Sequence, residues 1–151
     1  PTLDHLWGTE AVSFVHDGCE VNRIEKVAFL SEHSLAMQHL RVCYENQEGI
    51  RNCGACQKCV RTMLNLHVIG ALEKCPAFDS GLDILKVQKL ATRDPRMRHY
   101  YLRENLEALE KSGKDPHLQK ALVKALNKDR IDRRLIRSCR DALRRIRQAK
   151  P

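Results

Sequence analysis

The stretch CYENQEGIRNCGACQKC, Cys43–Cys59, decides how this chain is held together. It places four thiols within 17 residues. Cys53-Gly54-Ala55-Cys56 has the spacing of a zinc knuckle, and Gly54 permits the tight turn in which backbone N–H groups point at a thiolate. Cys56-Gln57-Lys58-Cys59 repeats that spacing and sets Cys59 at the start of an expected helix, whose positive end favours a thiolate. Cys43 supplies the fourth corner across a loop, Glu45–Asn52. Four sulfur donors with no open position describe a structural, tetrahedral Zn²⁺ site. An iron–sulfur cluster shares the C-x2-C-x2-C spacing and stands as an alternative, as do four metal-free cysteines. A run this tight cannot pair internally as disulfides without strain.

Outward from the knuckle, a helix is expected from Gln57, with Val60, Met63, Leu64, Val68, Ala71 and Leu72 as its apolar stripe and Cys75-Pro76 as its end. His67 on that stripe reads as a packing residue rather than a ligand. Upstream, Ala11–His16 (AVSFVH) is a candidate short strand ending at the turn Asp17-Gly18. Asn22 can cap a helix reaching about Leu30, and Leu40–Tyr44 (LRVCY) can be extended. Two strands make a marginal sheet at best, so this half is expected to be part of something larger or to lean on a non-covalent staple such as the metal. Cys19 and Cys75 read as structural.

Residues beyond Gly81 read as helices almost throughout. A short helix is expected near Leu82–Leu90, and Asp94-Pro95 starts a second one carrying Leu102, Leu106 and Leu109 on one face. Gly113 stops it, and Asp115-Pro116 starts a third with Leu118, Leu122, Ala125 and Leu126. A last helix is expected from Asp132 to Gln148, with Leu135, Ile136, Cys139, Leu143 and Ile146 on one side. The expected fold is therefore mainly α with minor β: a zinc-knuckle-stapled region, residues 1–81, followed by an arginine-rich helical bundle, residues 82–151.

Charge follows the same division. The 151 residues carry 27 Lys and Arg against 19 Asp and Glu, a net of +8. Residues 1–81 hold 7 basic and 10 acidic side chains, a net of −3, so residues 82–151 hold +11. Four thiolates around Zn²⁺ add −2 to the first half. Arg133, Arg137, Arg140, Arg144 and Arg147 recur at helical spacing and fall within about 80° of arc, one basic stripe. Guanidinium groups so spaced can each reach a phosphate, which makes nucleic acid a candidate partner. No aromatics interleave with them, so base stacking is not indicated, and a solvated stripe or one covering an acidic neighbouring surface fits as well. No apolar stretch approaches the roughly 18 residues of a membrane span. No signal segment opens the chain, and a cytoplasmic setting is expected. The first residue is Pro1, as in a processed chain or a portion of a longer one.

The stretch Leu40–Phe78, with Cys43-Tyr44, Cys53-Gly54-Ala55-Cys56, Cys59 and the nearby Arg61, resembles the C-terminal zinc segment of the 7-cyano-7-deazaguanine synthase family. That family belongs to the PP-loop, or N-type, ATP pyrophosphatases. Leu3–Lys26 is similar to the stretch just upstream in relatives of that superfamily. The resemblance covers about half of the chain and implies zinc on Cys43, Cys53, Cys56 and Cys59. It further implies a place as the C-terminal module of a PP-loop protein, beside a nucleotide-binding domain of the same protein or a partner subunit. The family's Ser-Gly-Gly-x-Asp-Ser loop is absent, since none of the glycines 8, 18, 49, 54, 70, 81 and 113 adjoins another. ATP is therefore expected only where an upstream domain supplies that loop. In a complete PP-loop protein His16, Asp17, Arg23 and Lys26, with Arg61, could face an anionic substrate. Read without the resemblance, the first four are a turn followed by a solvated helix. The functional alternatives are an ATP-dependent synthase of that family, of which this chain is part, and a nucleic-acid-binding zinc protein, with RNA as the partner the family suggests. The chain shows no autonomous catalytic arrangement of Ser, His, Asp or Cys. If the arginine stripe binds RNA, affinity falls steeply with salt, and replacing Arg137, Arg140 and Arg144 by Ala flattens the slope of log K against log [salt] by about two to three units. An unchanged slope in a filter-binding series overturns that role.

Overall fold

The computed structural model describes residues 3–45, 48–93 and 95–127. Six helices carry these residues: α1 (Arg23–Ser31), α2 (Ser34–His39), α3 (Gln57–Val68), α4 (Ile84–Arg93), α5 (Pro95–Ser112) and α6 (116–127). Short 3-10 turns add Asp4–Trp7 and Leu72–Lys74. The expected last helix, with Cys139 and the arginines 133, 137, 140, 144 and 147, lies outside the described residues.

Local signals set most helix ends. Asn22 accepts from the Glu25 amide at 2.9 Å while the Glu25 carboxylate accepts from the Asn22 amide at 2.8 Å, a reciprocal capping box at the start of α1. Pro95 and Pro116 open α5 and α6, where a missing N–H costs nothing. Asp115 caps α6 by accepting the Leu118 amide at 2.9 Å. Its carboxylate also meets His67 Nε2 at 2.8 Å, which ties the start of α6 to α3. The Leu118 amide, then the His67 ring, hold the Asp115 carboxyl below its ordinary range. Gly113 ends α5 with φ +65.

Helix α3 is the axis of the packing. Cys59, Met63 and Leu66 enter a first apolar cluster with Val27, Met37, Leu72, Cys75 and Phe78. Val60, Leu64 and Val68 enter a second with Val87, Leu102, Leu109, Leu118 and Leu122. The helix is thus buried on two sides, against α1 and the knuckle on one and against α4, α5 and α6 on the other. Each Leu taken fully from water contributes roughly 1.5–3 kcal/mol.

Three expectations are corrected. Among the described residues there is no strand, so the minor β part is not supported. In Ala11–His16 no second segment pairs with the backbone, and its first residues fold onto Thr9, whose hydroxyl accepts from the Ala11 and Val12 amides at 3.3 and 3.2 Å. Leu40–Tyr44 is likewise unpaired, because an asparagine side chain takes its backbone groups. Second, the helix from Gln57 stops at Val68 rather than at Cys75. Gly70, at φ +75, lets the Gly70 amide reach the His67 carbonyl at 2.9 Å and the Ala71 amide the Leu66 carbonyl at 2.8 Å, which closes the helix early. Third, α2 adds a helix at Ser34–His39 where none was expected, with Met37 buried.

Segment 3–22 contributes little to either cluster. Leu3, Leu6, Trp7, Val12, Phe14 and Val15 are all more than half exposed there.

Candidate metal centre and the polar seam beside it

Cys43, Cys53, Cys56 and Cys59 converge, and their sulfur atoms all lie within 4.8 Å of one another. Cys43 and Cys56 are 3.9 Å apart at sulfur, Cys53 and Cys59 4.0 Å. Around a single ion at the Zn–S distance of about 2.3 Å, tetrahedral sulfurs stand about 3.8 Å apart. The donor set therefore fits one metal ion, and its sulfurs are too far apart for disulfides.

The knuckle is built as its sequence suggests. Gly54 takes φ +61, and the Cys56 amide then donates to Cys53 Sγ at 3.2 Å. Cys56 is the N-cap of α3, and its sulfur accepts from the Cys59 amide at 3.5 Å. The thiol thus does what a Ser or Asp oxygen does at other helix starts, and it does so best as a thiolate. Cys59 sits in the first turn with no solvent exposure. From α4, Lys86 Nζ reaches the Gly54 carbonyl at 3.3 Å and brings a positive charge to the back of the turn.

The thiols do not titrate alike. The Cys53 amide first, and then the Glu45 amide, pull the Cys43 thiol down to about 6. Burial pushes the Cys56 and Cys59 thiols up. Four thiolates at these separations repel one another, so full ionisation requires a cation among them. Cys75, 2% exposed, lies outside the set; burial raises its thiol and its sulfur meets the Met37 carbonyl at 3.6 Å. Cys19 is exposed.

Asn52 is the residue that sequence reading missed. Its Oδ1 accepts from the amides of Val42 and Cys43 at 2.9 and 3.2 Å. Its Nδ2 donates to the carbonyls of Leu40 and Ala77 at 2.8 and 2.9 Å. One buried side chain thus joins the Cys43 segment, the knuckle and the chain after α3. Its position directly before Cys53 is the one signal in the sequence, and a buried amide cannot be told there from a loop asparagine.

A second polar group lies one turn along α3. Arg23 Nε donates to Asn65 Oδ1 at 3.2 Å and its Nη2 to the Thr62 hydroxyl at 3.1 Å. Asn65 Nδ2 donates to Asn105 Oδ1 at 3.0 Å, and Asn105 in turn to the Tyr101 carbonyl at 2.8 Å. Tyr101 Oη lies in hydrogen-bond reach of the Arg61 carbonyl and, at 3.0 Å, of Asn65 Oδ1. The Arg61 guanidinium stacks 4.1 Å above the Tyr101 ring. Burial pushes the Tyr101 phenol up to about 12, although Arg23 and Arg61 pull the other way.

Of the residues expected to face a substrate, Arg23 and Arg61 meet at Tyr101. His16 instead pairs with Asp4 at 2.5 Å, Asp17 stands in the exposed turn, and Lys26 lies against Gly18. That His16 contact lowers the Asp4 carboxyl. Among the described residues no helix is long and apolar enough to cross a membrane.

Comparison with protein-family models, curated proteins and solved structures gives no match to this chain.

Replacing Asn52 by Ala orphans the Cys43 amide and the Ala77 carbonyl in a buried setting, at about 1–3 kcal/mol for each group left unpaired. The expected outcome is a loss of about 2–4 kcal/mol in denaturant melts together with weaker metal retention. A variant as stable as the parent overturns the role assigned to this side chain.

Proposed function

We propose that the chain is a zinc-binding module of a PP-loop ATP pyrophosphatase-like protein, in which the metal is structural and the module helps to form a substrate or RNA site. One observation carries this reading: four sulfurs surround a single-ion position at the start of the helix on which both apolar clusters pack. A site closed by four thiolates leaves no position for a catalytic water, which favours a structural ion. An iron–sulfur cluster spreads its cysteines around several metal atoms, whereas these sulfurs crowd around one, which favours zinc.

The place within a PP-loop protein rests on the resemblance of Leu40–Phe78 and Leu3–Lys26. The exposed apolar side chains of segment 3–22 support it, since an adjoining domain would cover them. The nucleotide chemistry then belongs to that domain or to a partner subunit. The excess of +11 over residues 82–151 favours, as a second reading, a nucleic-acid-binding zinc protein.

Metal analysis of the purified chain is expected to find one zinc per chain. Loading the apo protein at pH 7 should release at least two protons per metal, because the Cys56 and Cys59 thiols start protonated. Affinity falls as pH falls, since protons compete for the sulfurs. Chelation should melt the knuckle and α3, read as lost helical circular dichroism, because binding energy is folding energy there. A metal-free chain with its full helical signal overturns the zinc reading. A Ser-Gly-Gly-x-Asp-Ser loop, encoded ahead of Pro1 or carried by a co-purifying subunit, is the outcome expected of the PP-loop reading, and finding neither overturns it.

A further inference from the structure

The polar seam on α3 holds two guanidinium groups, and the carboxylate beside it, Glu104, accepts from the Ile24 amide at 2.9 Å. Arg23, from the first turn of α1, shares Asn65 Oδ1 with the Tyr101 hydroxyl, and Arg61, from α3, lies over the Tyr101 ring. His16 pairs with Asp4 and His67 with Asp115, and among the described residues neither Arg23 nor Arg61 pairs with a carboxylate. Like charges gathered at a partly buried point repel, and the seam offers them only neutral oxygens. Arg23 spends its Nε and one Nη2 hydrogen on Asn65 and Thr62, which fixes the plane of its guanidinium and leaves its other N–H groups uncommitted.

Arg61 is more unusual. Its Nε is buried and has no hydrogen-bond partner. A donor on a charged group left in that state costs free energy, and folded chains rarely retain one without a reason. The Tyr101 ring supports the flat of the guanidinium but offers the N–H edge nothing to donate to. The Arg61 Nε is closed to solvent, so an anion arriving from solution meets the outer N–H groups of the pair, and a planar guanidinium matches a tetrahedral oxyanion in two-point contact.

We infer that Arg23 and Arg61, seated on Tyr101, form a binding site for the phosphoryl group of a small phosphorylated ligand. The inference rests on the reading of the module as part of a substrate site and names the chemistry that the site takes. A small ligand is favoured over an RNA strand because the two guanidiniums gather around one side chain, Tyr101, and its bonded partner Asn65, whereas a strand needs cations spaced along an open surface. The rigidity of the seam serves the same end. Asn65 and Asn105 are wholly buried and mutually bonded, so Tyr101 and Arg23 keep their places before any ligand arrives.

The test uses the full chain loaded with zinc, in a buffer free of phosphate and sulfate at low ionic strength. Inorganic phosphate is titrated and followed by calorimetry and by the shift of the thermal midpoint. Saturable binding with a raised midpoint is expected. Arg61→Gln should weaken binding at least about tenfold, and Arg23→Lys should weaken it less, since it keeps a charge but loses the fork. Lys120→Gln, an exposed charge on α6, should leave it unchanged. Zinc content and circular dichroism are read on every variant. Binding that never saturates, or that is equal in Arg61→Gln, overturns the site. Phosphate that fails to bind while the chain keeps its zinc overturns the anion site and leaves the zinc module standing; a chain without zinc overturns that module instead. An oligoribonucleotide that binds through these same arginines, where free phosphate does not, overturns the small-ligand assignment in favour of a strand backbone.

Discussion

Four sulfur atoms gathered within 4.8 Å can ionise together only around a cation, and the rest of this structure is arranged around that cluster. Burial disfavours the thiolates of Cys56 and Cys59, and their mutual repulsion disfavours them further. The compensating terms are local: amides aimed at Cys53 and Cys56, the positive start of α3, and the Lys86 ammonium behind the Gly54 turn. With an ion in place the sulfurs become the N-terminal anchor of α3. That helix then presents one face to each apolar cluster, so the metal position and both cores share one element.

Two buried asparagines transmit this order. Asn52 replaces the ladder that a neighbouring strand would supply, binding four backbone groups from two other stretches of chain. It therefore fixes Cys43 relative to the knuckle without any sheet. Asn65, one helical turn and more beyond Cys59, does the equivalent work between α1, α3 and α5. A polar group buried this deeply is costly unless its lone pairs and hydrogens are used: Asn52 uses two of each, and Asn65 uses both lone pairs and one hydrogen. The Arg61 Nε, which has no hydrogen-bond partner, stands out against that background.

Charge and apolar exposure divide the chain differently. The acidic first half carries the four clustered cysteines and exposes large apolar side chains along 3–22, while the basic excess belongs to residues 82–151. The two halves nevertheless meet through α3: Val87, Leu102 and Leu118 pack on it from the basic side, and Lys86 crosses to the knuckle. Metal binding in the first half should in this way steady helices in the second, with no ligand of their own.

What short spacings encode could be read from the amino-acid order alone. The four cysteines, the Gly54 turn, the Asn22 cap, the proline starts of α5 and α6 and the Gly113 stop were all legible, because each depends on residues within one or two turns. The candidate site was legible to the same extent: its sulfur ligands could be named, and Arg23 and Arg61 could be singled out but not joined. Tertiary structure decided the rest. Ala11–His16 and Leu40–Tyr44 carry strand-like patterns, yet a strand needs a partner, and pattern alone does not say that none is there. Asn52 bonds across 25 residues to Ala77, and Arg23 reaches Asn65 across 42. Contacts of that span leave no periodic trace in a sequence. They exist only once α3 has brought distant segments against the same two faces.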